Sequence, residues 1–207
     1  MRPDPLILAF DTSAAHCAAA LLSGDQILAE AWEEMDKGQA ERLLPLCEAL
    51  LAQAGHDWRD LAALAVGTGP GNFTGIRIAV AAARGLALSL GIPAIGVTRL
   101  ESLAHGLPRP VTVIEDARRG EAYVQTFTAD GAGRAALCKM GDIAHPAPYL
   151  TGSAAGPMAL PPAMPLTHAI ARIAASRLGT DQPRPAPFYL RGADAAPPSD
   201  PPPVILP

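Results

Sequence analysis

Residues 67–75 read Gly-Thr-Gly-Pro-Gly-Asn-Phe-Thr-Gly, and this glycine-rich stretch lies between two apolar segments of different period. The short apolar run Leu61–Val66 before it predicts a buried strand. After it, apolar residues recur at helical spacing to about Leu90, and Gly91 and Pro93 then end the pattern. A strand, a glycine-rich turn and a helix in this order predict an α/β fold.

The residues on either side of this unit extend the same pattern. Apolar runs separated by short turns predict a three-stranded meander over Leu6–Phe10, Cys17–Leu22 and Gln26–Trp32. Helical spacing predicts a helix over Gln39–Ala54, and Ala94–Val97 is a further short strand. The first half of the chain is therefore predicted to be one sheet with two long helices.

A second meander begins 105 positions later. Strands are predicted at Val111–Glu115 and Ala122–Thr128, so that Asp116 occupies the place of Asp11. Two meanders can look alike by chance, but the alternative is an internal duplication that gives two related α/β lobes. The predicted organisation is a first lobe over 1–105, a smaller second lobe over 106–192 and a proline-rich tail over 193–207.

Composition excludes several classes of protein. The 207 residues are 49% hydrophobic and 17% charged, with a net charge of −4. A nucleic-acid binder that works by bulk charge needs clustered Lys and Arg, and only two lysines are present. Any contact with RNA is therefore expected to need the surface of a partner.

Cysteines, histidines and hydropathy point to a cytoplasmic protein without a metal site. Three widely spaced cysteines without a CxxC pair predict free thiols rather than a disulfide framework. The histidines show no metal-binding spacing and are expected on the surface or in turns. No signal peptide is expected, and Arg77 and Arg84 interrupt the most apolar stretch, so no membrane span is predicted. The cysteines and histidines concerned are Cys17, Cys47, Cys138, His16, His56, His105, His145 and His168.

The glycine-rich turn does not match the common phosphate-binding loops. A P-loop needs a lysine, and the glycines at 67, 69 and 71 lack the dinucleotide-binding spacing. Two interpretations remain open. The start of the helix can bind an anion or a backbone segment, or the stretch is a tight turn with Asn72 or Thr74 as helix cap.

Asp11, Thr12 and Ser13 are the other candidate site. A carboxylate beside two hydroxyls at a strand end suits Mg²⁺ held through water and a phosphate, whereas the alternative is a local side-chain turn. Asp116 is the counterpart, but Ala117 follows it where close approach of a phosphate usually requires glycine. Asp11, Thr12, Ser13 and Asp116 are thus the candidate nucleotide-binding residues.

Both long helices are more apolar than one contact with a sheet requires. The helix 74–90 has one apolar face around Ile76 and a second around Ile78. The two helices either pack together within the chain or form a helix-bundle interface with a second protein, and a lone chain would then pair weakly with its own copy. The residues predicted to form that outward partner interface are Arg42, Leu43, Cys47, Leu50, Arg77, Ile78, Ala82 and Gly85.

The stretch Gly67–Arg77 resembles the GxGPGSFTGxR motif of the TsaB (YeaZ) family, the bacterial tRNA threonylcarbamoyladenosine biosynthesis proteins. Ile7–Ser13 is similar to the opening ILxxDTS of the family, and residues 114–123 are similar to its DARxGExY stretch. Glu41–Pro45 and Tyr189–Arg191 match a helix start and a late YLR, so that the resemblance runs from residue 6 to about 191.

The resemblance implies the two-lobed, duplicated fold of actin, Hsp70 and acetate kinase, which is ribonuclease H-like, with a reduced second lobe. It implies a non-catalytic accessory subunit that forms a heterodimer with a TsaD-like subunit, joined by a TsaE-like ATPase. Together they transfer a threonylcarbamoyl group to adenosine 37 of tRNA. The tRNA would be reached only through the complex, and ATP or ADP with Mg²⁺ would belong at a partner interface. The family-motif loop is Gly69, Pro70, Gly71, Asn72, Phe73, Thr74 and Gly75.

Two other functions stay open at this stage: an ATP-dependent phosphotransferase of the same fold and an M22-type glycoprotease. The first needs an acidic Mg²⁺ pair and a second phosphate loop, and the second needs metal ligands or a nucleophile.

Two departures from the family pattern matter. Gln39-Ala40 stands where many relatives have His-Ser or His-Thr, and the segment after Gly156 is short and rich in proline.

Overall fold

The computed structural model describes residues 4–143 and 147–191. The chain forms two β-sheets, each built on an antiparallel pair of strands with a parallel strand beside it. The predicted two-lobed α/β fold with a reduced second lobe is confirmed. The predicted tail 193–207 lies outside the described residues.

The first sheet has the strand order β3-β2-β1-β4-β5. Its central strand β1 is buried at every position, which explains why its sequence is a continuous apolar run rather than an alternating one. β1 is antiparallel to β2 and parallel to β4. The strands are β1 (Leu6–Asp11), β2 (His16–Ser23), β3 (Gln26–Glu34), β4 (Leu61–Gly67) and β5 (Ala94–Val97).

Helices cover both faces of the first sheet. The helices α1 (Gln39–Gln53) and α2 (Phe73–Leu90) share one hydrophobic core with β1, β2 and β4. The helix α4 (Leu166–Arg177) covers the opposite face, although it comes from the second half of the chain. We call the first sheet with these three helices the first lobe.

The second sheet has the order β10-β6-β7-β8, with β9 also paired to β7. A short helix α3 (Arg99–Ala104) packs against this sheet, and the two together are called the second lobe. The capping box of Thr98 and Glu101 begins α3 and was the signal in the sequence that could have predicted it. The strands are β6 (Val111–Asp116), β7 (Glu121–Thr128), β8 (Gly131–Ala132), β9 (Ala136–Lys139) and β10 (Tyr149–Thr151).

The two sheets repeat one plan. The strands β6 and β7 begin 105 positions after β1 and β2, and β10 lies parallel to β6 as β4 lies parallel to β1. Between its third and fourth strands the first lobe carries the 15-residue helix α1. Between β9 and β10, the corresponding place in the second lobe, the description includes the 3-10 turn Met140–Asp142 but not residues 144–146. Among the described residues the second lobe therefore has no counterpart of α1, which contributes to its smaller size.

The helix α2 meets the length and hydropathy criteria for a membrane span, with 18 residues and a mean hydropathy of 1.4. In the structure its apolar face, including Ile76, Val80 and Ala83, is buried in the core of the first lobe. Packing against the sheet therefore accounts for one face of the helix, whereas 28% of its residues are buried in all.

Candidate functional site

The Asp11–Ser13 turn at the end of β1 is buried and internally hydrogen-bonded. Asp11 is 1% exposed, and its Oδ1 accepts hydrogen bonds from the Ser13 backbone N–H at 2.9 Å and from the Ser13 hydroxyl at 2.8 Å. His16 Nε2 lies 2.7 Å from the same oxygen. The Thr12 hydroxyl donates to the carbonyl of Gly75 at 2.7 Å. Both hydroxyls that the sequence offered to a phosphate are therefore used within the fold.

The glycines of the motif loop allow this turn to lie against the start of α2. A Cβ at Gly67 would lie 1.8 Å from Asp11 Oδ2, and one at Gly75 would lie 1.8 Å from the carbonyl oxygen of Thr12. A Cβ at Gly71 would lie 2.3 Å from the carbonyl oxygen of Ser13. Contacts this short exclude any side chain, so the three glycines are required for close approach of two segments of the same chain.

Asn72 is the N-cap of α2. Its side-chain oxygen accepts from the backbone N–H of Gly75 at 3.0 Å, and its own N–H donates to the carbonyl of Ser13 at 2.6 Å. The interpretation of the loop as a tight turn capped at this position is confirmed. The start of α2 is therefore joined to the chain's own Asp11–Ser13 turn by hydrogen bonds.

The environment of Asp11 favours its ionised form. Burial raises the pKa of Asp11, but the hydrogen bond from His16, the charges of His16 and Arg99 and the N–H of Ser13 together hold its pKa below the ordinary value of 3.8. The carboxylate therefore organises the donors around it, as an anchor of the turn.

The expectation that the histidines lie on the surface or in turns is wrong for His16. This residue is 3% exposed, and its ring packs 4.1 Å from that of Trp32. The contact with Asp11 crosses the β1–β2 hairpin, and no sequence spacing marks such a pair. Of the others, His56, His105 and His168 are half-buried or more exposed, and His145 lies outside the described residues.

Asp116 occupies a different environment from Asp11. It is exposed, and its Oδ1 accepts from the backbone N–H of Arg118 at 2.8 Å. The preceding residue, Glu115, is buried, and its Oε1 lies 2.8 Å from Nη2 of Arg99. The backbone N–H of Arg99 also donates to the carbonyl of Gly69 at 2.7 Å. Arg99, which the sequence did not single out, thus connects the motif loop to the second lobe.

The late YLR segment returns to the motif loop. The Tyr189 hydroxyl accepts from Arg77 Nε at 2.8 Å, and its ring stacks 5.1 Å from that of Phe73. The Arg77 guanidinium lies 3.7 Å from the centre of the Phe73 ring. Arg191 donates to the carbonyl of Ala117 at 2.9 Å, which ties the same segment to the second lobe. The late YLR segment therefore joins the motif loop to the 114–123 stretch.

The predicted outward direction of part of α1 is wrong. Leu43, Cys47 and Leu50 are at most 2% exposed and lie in the core of the first lobe. They belong to the wider apolar stripe of α1, which packs on the helix's own sheet. The large apolar side chain that α1 does expose is Leu44, at 44%.

The remaining predicted interface residues reach the surface to different degrees. Arg77 and Gly85 are exposed, and Ile78 and Ala82 of α2 are half-buried beside the core. Arg42 is half-buried, and its Nε donates to Glu33 at 2.7 Å.

Within residues 4–143 and 147–191, no group of three His, Cys, Asp or Glu side chains is arranged to hold a metal ion.

Comparisons with known proteins identify relatives over most of the chain. The family model described as TsaD, tRNA N6-adenosine threonylcarbamoyltransferase, matches residues 28–188. The Escherichia coli tRNA threonylcarbamoyladenosine biosynthesis protein TsaB is 38% identical over 132 residues, which are 61% of this chain and 57% of that protein. An uncharacterised Mycobacterium tuberculosis protein is 34% identical over 200 residues, 92% of this chain and 94% of its own length.

A solved structure agrees with the sequence matches. YeaZ from Pseudomonas aeruginosa superposes with a TM-score of 0.74 at 29% identity, over 90% of this chain and 100% of that chain. The matches to the TsaB proteins of E. coli and Bacillus subtilis span little more than half of those relatives, 57% and 54% of their lengths.

Proposed function

Because this chain belongs to the TsaB (YeaZ) family, we propose that it is an accessory subunit for threonylcarbamoyl transfer to adenosine 37 of tRNA. In this role it binds a TsaD-like catalytic subunit and activates it, in the cytoplasm. The observation that carries the proposal is that the polar turn Asp11–Ser13 has a structural role within the first lobe. Asp11, Thr12 and Ser13 are committed to hydrogen bonds inside the first lobe.

Chemistry by this chain alone would need free catalytic groups. Asp11 does not support a phosphotransferase function, because this carboxylate is buried and already accepts three hydrogen bonds. Ser13 does not support a role as a catalytic nucleophile, because its hydroxyl donates a hydrogen bond to the same carboxylate. ATP or ADP with Mg²⁺ is therefore assigned to the partners and to the surface they share with this chain.

The partner surface proposed here is the outward side of α1 and α2. Leu44 supplies an exposed apolar side chain on α1, and nothing lies within 4 Å of a Cβ built at Gly85 on α2. A surface that combines an aliphatic side chain with an uncovered glycine lets a partner helix approach closely. Helices from a TsaD-like subunit would complete a four-helix contact there.

The other proposed partners are a second copy of this chain, a TsaE-like ATPase and tRNA. Without the TsaD-like subunit, two copies of this chain would meet through it in a two-fold contact. A TsaE-like ATPase would join the assembled heterodimer. The tRNA would be bound by the complex, because this chain has a net charge of −4 and only two lysines.

Reconstitution tests the proposal. Transfer of labelled threonylcarbamoyl from its adenylate to tRNA is measured with the TsaD-like and TsaE-like subunits, with and without this chain. We expect transfer to need all the proteins and this chain alone to give none. Full transfer without this chain, or transfer by this chain alone, would contradict the proposed role.

A further inference from the structure

A groove of about 600 Å³ lies between the second half of α2 and the segment 177–185. Its lining includes Gly85, so the groove adjoins the surface proposed for the TsaD-like subunit, and the inference below rests on that proposed function and adds the chemistry of the partner. Its apolar lining includes Leu88 of α2, which is 86% exposed, Ile92 and Leu178. An aliphatic side chain this exposed, at the edge of a concave surface, is a common feature of protein-binding sites.

The groove carries positive charge that the described chain does not neutralise. Arg84 on one side and Arg184 on the other make no hydrogen bond or ion pair with any described residue. Asp181 is the single carboxylate in the lining, and α2 contains no acidic residue. The third arginine of the lining, Arg177, is already paired with Glu101.

The charge continues along α2 beyond the groove. Arg77 lies seven residues before Arg84, which is about 10 Å along a helix and nearly the same angular position. Its guanidinium donates to the neutral Tyr189 hydroxyl and has no carboxylate partner among the described residues. The stacked rings of Phe73 and Tyr189 hold Arg77 in place, so this end of the surface is ordered before any ligand arrives.

We infer that this surface, from Phe73 to Leu88 on α2 together with the groove, binds an acidic segment of a protein partner that also carries aliphatic side chains. Two carboxylates spaced like Arg77 and Arg84 would pair with them, and an aliphatic side chain would enter the groove beside Leu88. Arginine and tyrosine are the side chains enriched where such contacts contribute most binding energy. The aliphatic lining favours a polypeptide, since a phosphate backbone gains little from it.

The test uses the full chain and synthetic probes, and it does not depend on the TsaD-like subunit. One labelled helical peptide carries two glutamates seven residues apart with leucines between them, and a matched peptide carries glutamines instead. A labelled single-stranded RNA of similar length is the third probe. Fluorescence polarisation gives the dissociation constant of each for the wild type and for the double variant Arg84→Glu with Arg184→Glu.

We expect saturable binding of the glutamate peptide to the wild type and at least a tenfold weaker affinity for the double variant. The variant Arg134→Glu, an exposed arginine of the second lobe, should bind like the wild type. Thermal melts of each variant establish that the exposed substitutions leave the fold intact. No saturable binding, equal affinity for the two peptides, or preferential binding of the RNA would overturn the inference.

Discussion

The turns that follow β1 and β6 occupy equivalent places in the two lobes, yet they are built in different ways. In the first lobe the Asp11 turn is buried against three glycines of the motif loop. In the second lobe the Asp116 turn is exposed, and Arg118 and Arg119 adopt left-handed backbone angles with φ of 62° and 56°. One turn is fixed by close packing, and the other is held by a local hydrogen bond to Asp116.

This difference shows what the family motif does in the molecule. The glycine-rich loop serves the first turn, which it brings into contact with the start of α2. Among the described residues the second turn has no such loop. The residue after β10 is Gly152, and a Cβ built there would lie 2.4 Å from the carbonyl oxygen of Ile114. The duplicated framework thus keeps its strands in both lobes, but only the first lobe retains the packed turn and the long helices that carry the proposed partner surface.

Gly75→Ala should have the largest effect on stability. The added Cβ would lie 1.8 Å from the Thr12 carbonyl oxygen, so the helix start must move away from the turn. We expect a loss of about 3 kcal/mol in the free energy of unfolding, measured by urea denaturation. Gly85→Ala in the same helix is the control, because its Cβ meets nothing and should stabilise the chain by about 0.5 kcal/mol. Equal stability of the two variants would refute the packing role of Gly75.

Asp11→Ala compared with Asp116→Ala separates the two turns. Removing Asp11 leaves His16 and Ser13 as buried donors without their acceptor, which should cost about 2–3 kcal/mol. Removing the exposed Asp116 should cost about 0.5 kcal/mol or less. The same denaturation experiment measures both, and similar losses would show that the two turns are energetically alike.

Stability should fall in acid partly through Asp11. Since its pKa in the folded chain lies below 3.8, the native state binds fewer protons there than the unfolded state, and the contribution is lost as pH falls through the folded value. Asp11→Asn should therefore flatten the dependence of unfolding free energy on pH below about 4. The slope of Asp11→Asn is compared with that of the wild type, and an equally steep slope in the variant would exclude Asp11 as its source.

Thiol labelling tests the orientation of α1 with the smallest perturbation. Burial raises the pKa of Cys17 to about 11 and raises that of Cys47 as well, and both side chains are buried. At pH 8 a disulfide reagent should react quickly with Cys138 alone, and with all three thiols in denaturant. Rapid reaction in a Cys17→Ser/Cys138→Ser variant would mean that Cys47 faces outward after all.

The sequence was sufficient for the features that depend on local pattern. The β1–β2 and β6–β7 pairs and α2 follow from apolar period and turn residues, whereas the sequence left Asn72 and Thr74 both open as the cap of α2. The sequence did not predict which faces of these elements pack against each other. The apolar stripe of α1 is wide, and the sequence does not show that the sheet buries all of it, so Cys47 was placed on the wrong side.

The candidate site shows the same limit. Asp11, Ser13 and the glycines were visible as motifs, but their mutual contact depends on two segments more than fifty residues apart. The contact of Asp11 with His16 and the pairing of Arg99 with Glu115 have no pattern along the chain. Such pairs are set by strand register and by the approach of the two lobes.

The most direct test of the central claim compares the two lobes as binding surfaces. Isothermal titration with a TsaD-like subunit is performed for the wild type, Leu44→Glu on α1 and Met158→Glu in the second half of the chain, where Met158 is 88% exposed. The account predicts that Leu44→Glu weakens binding by about 2 kcal/mol or more, roughly thirtyfold, whereas Met158→Glu binds like the wild type. Undiminished binding of a folded Leu44→Glu variant, with loss of binding in Met158→Glu, would place the partner surface on the other lobe and contradict the account.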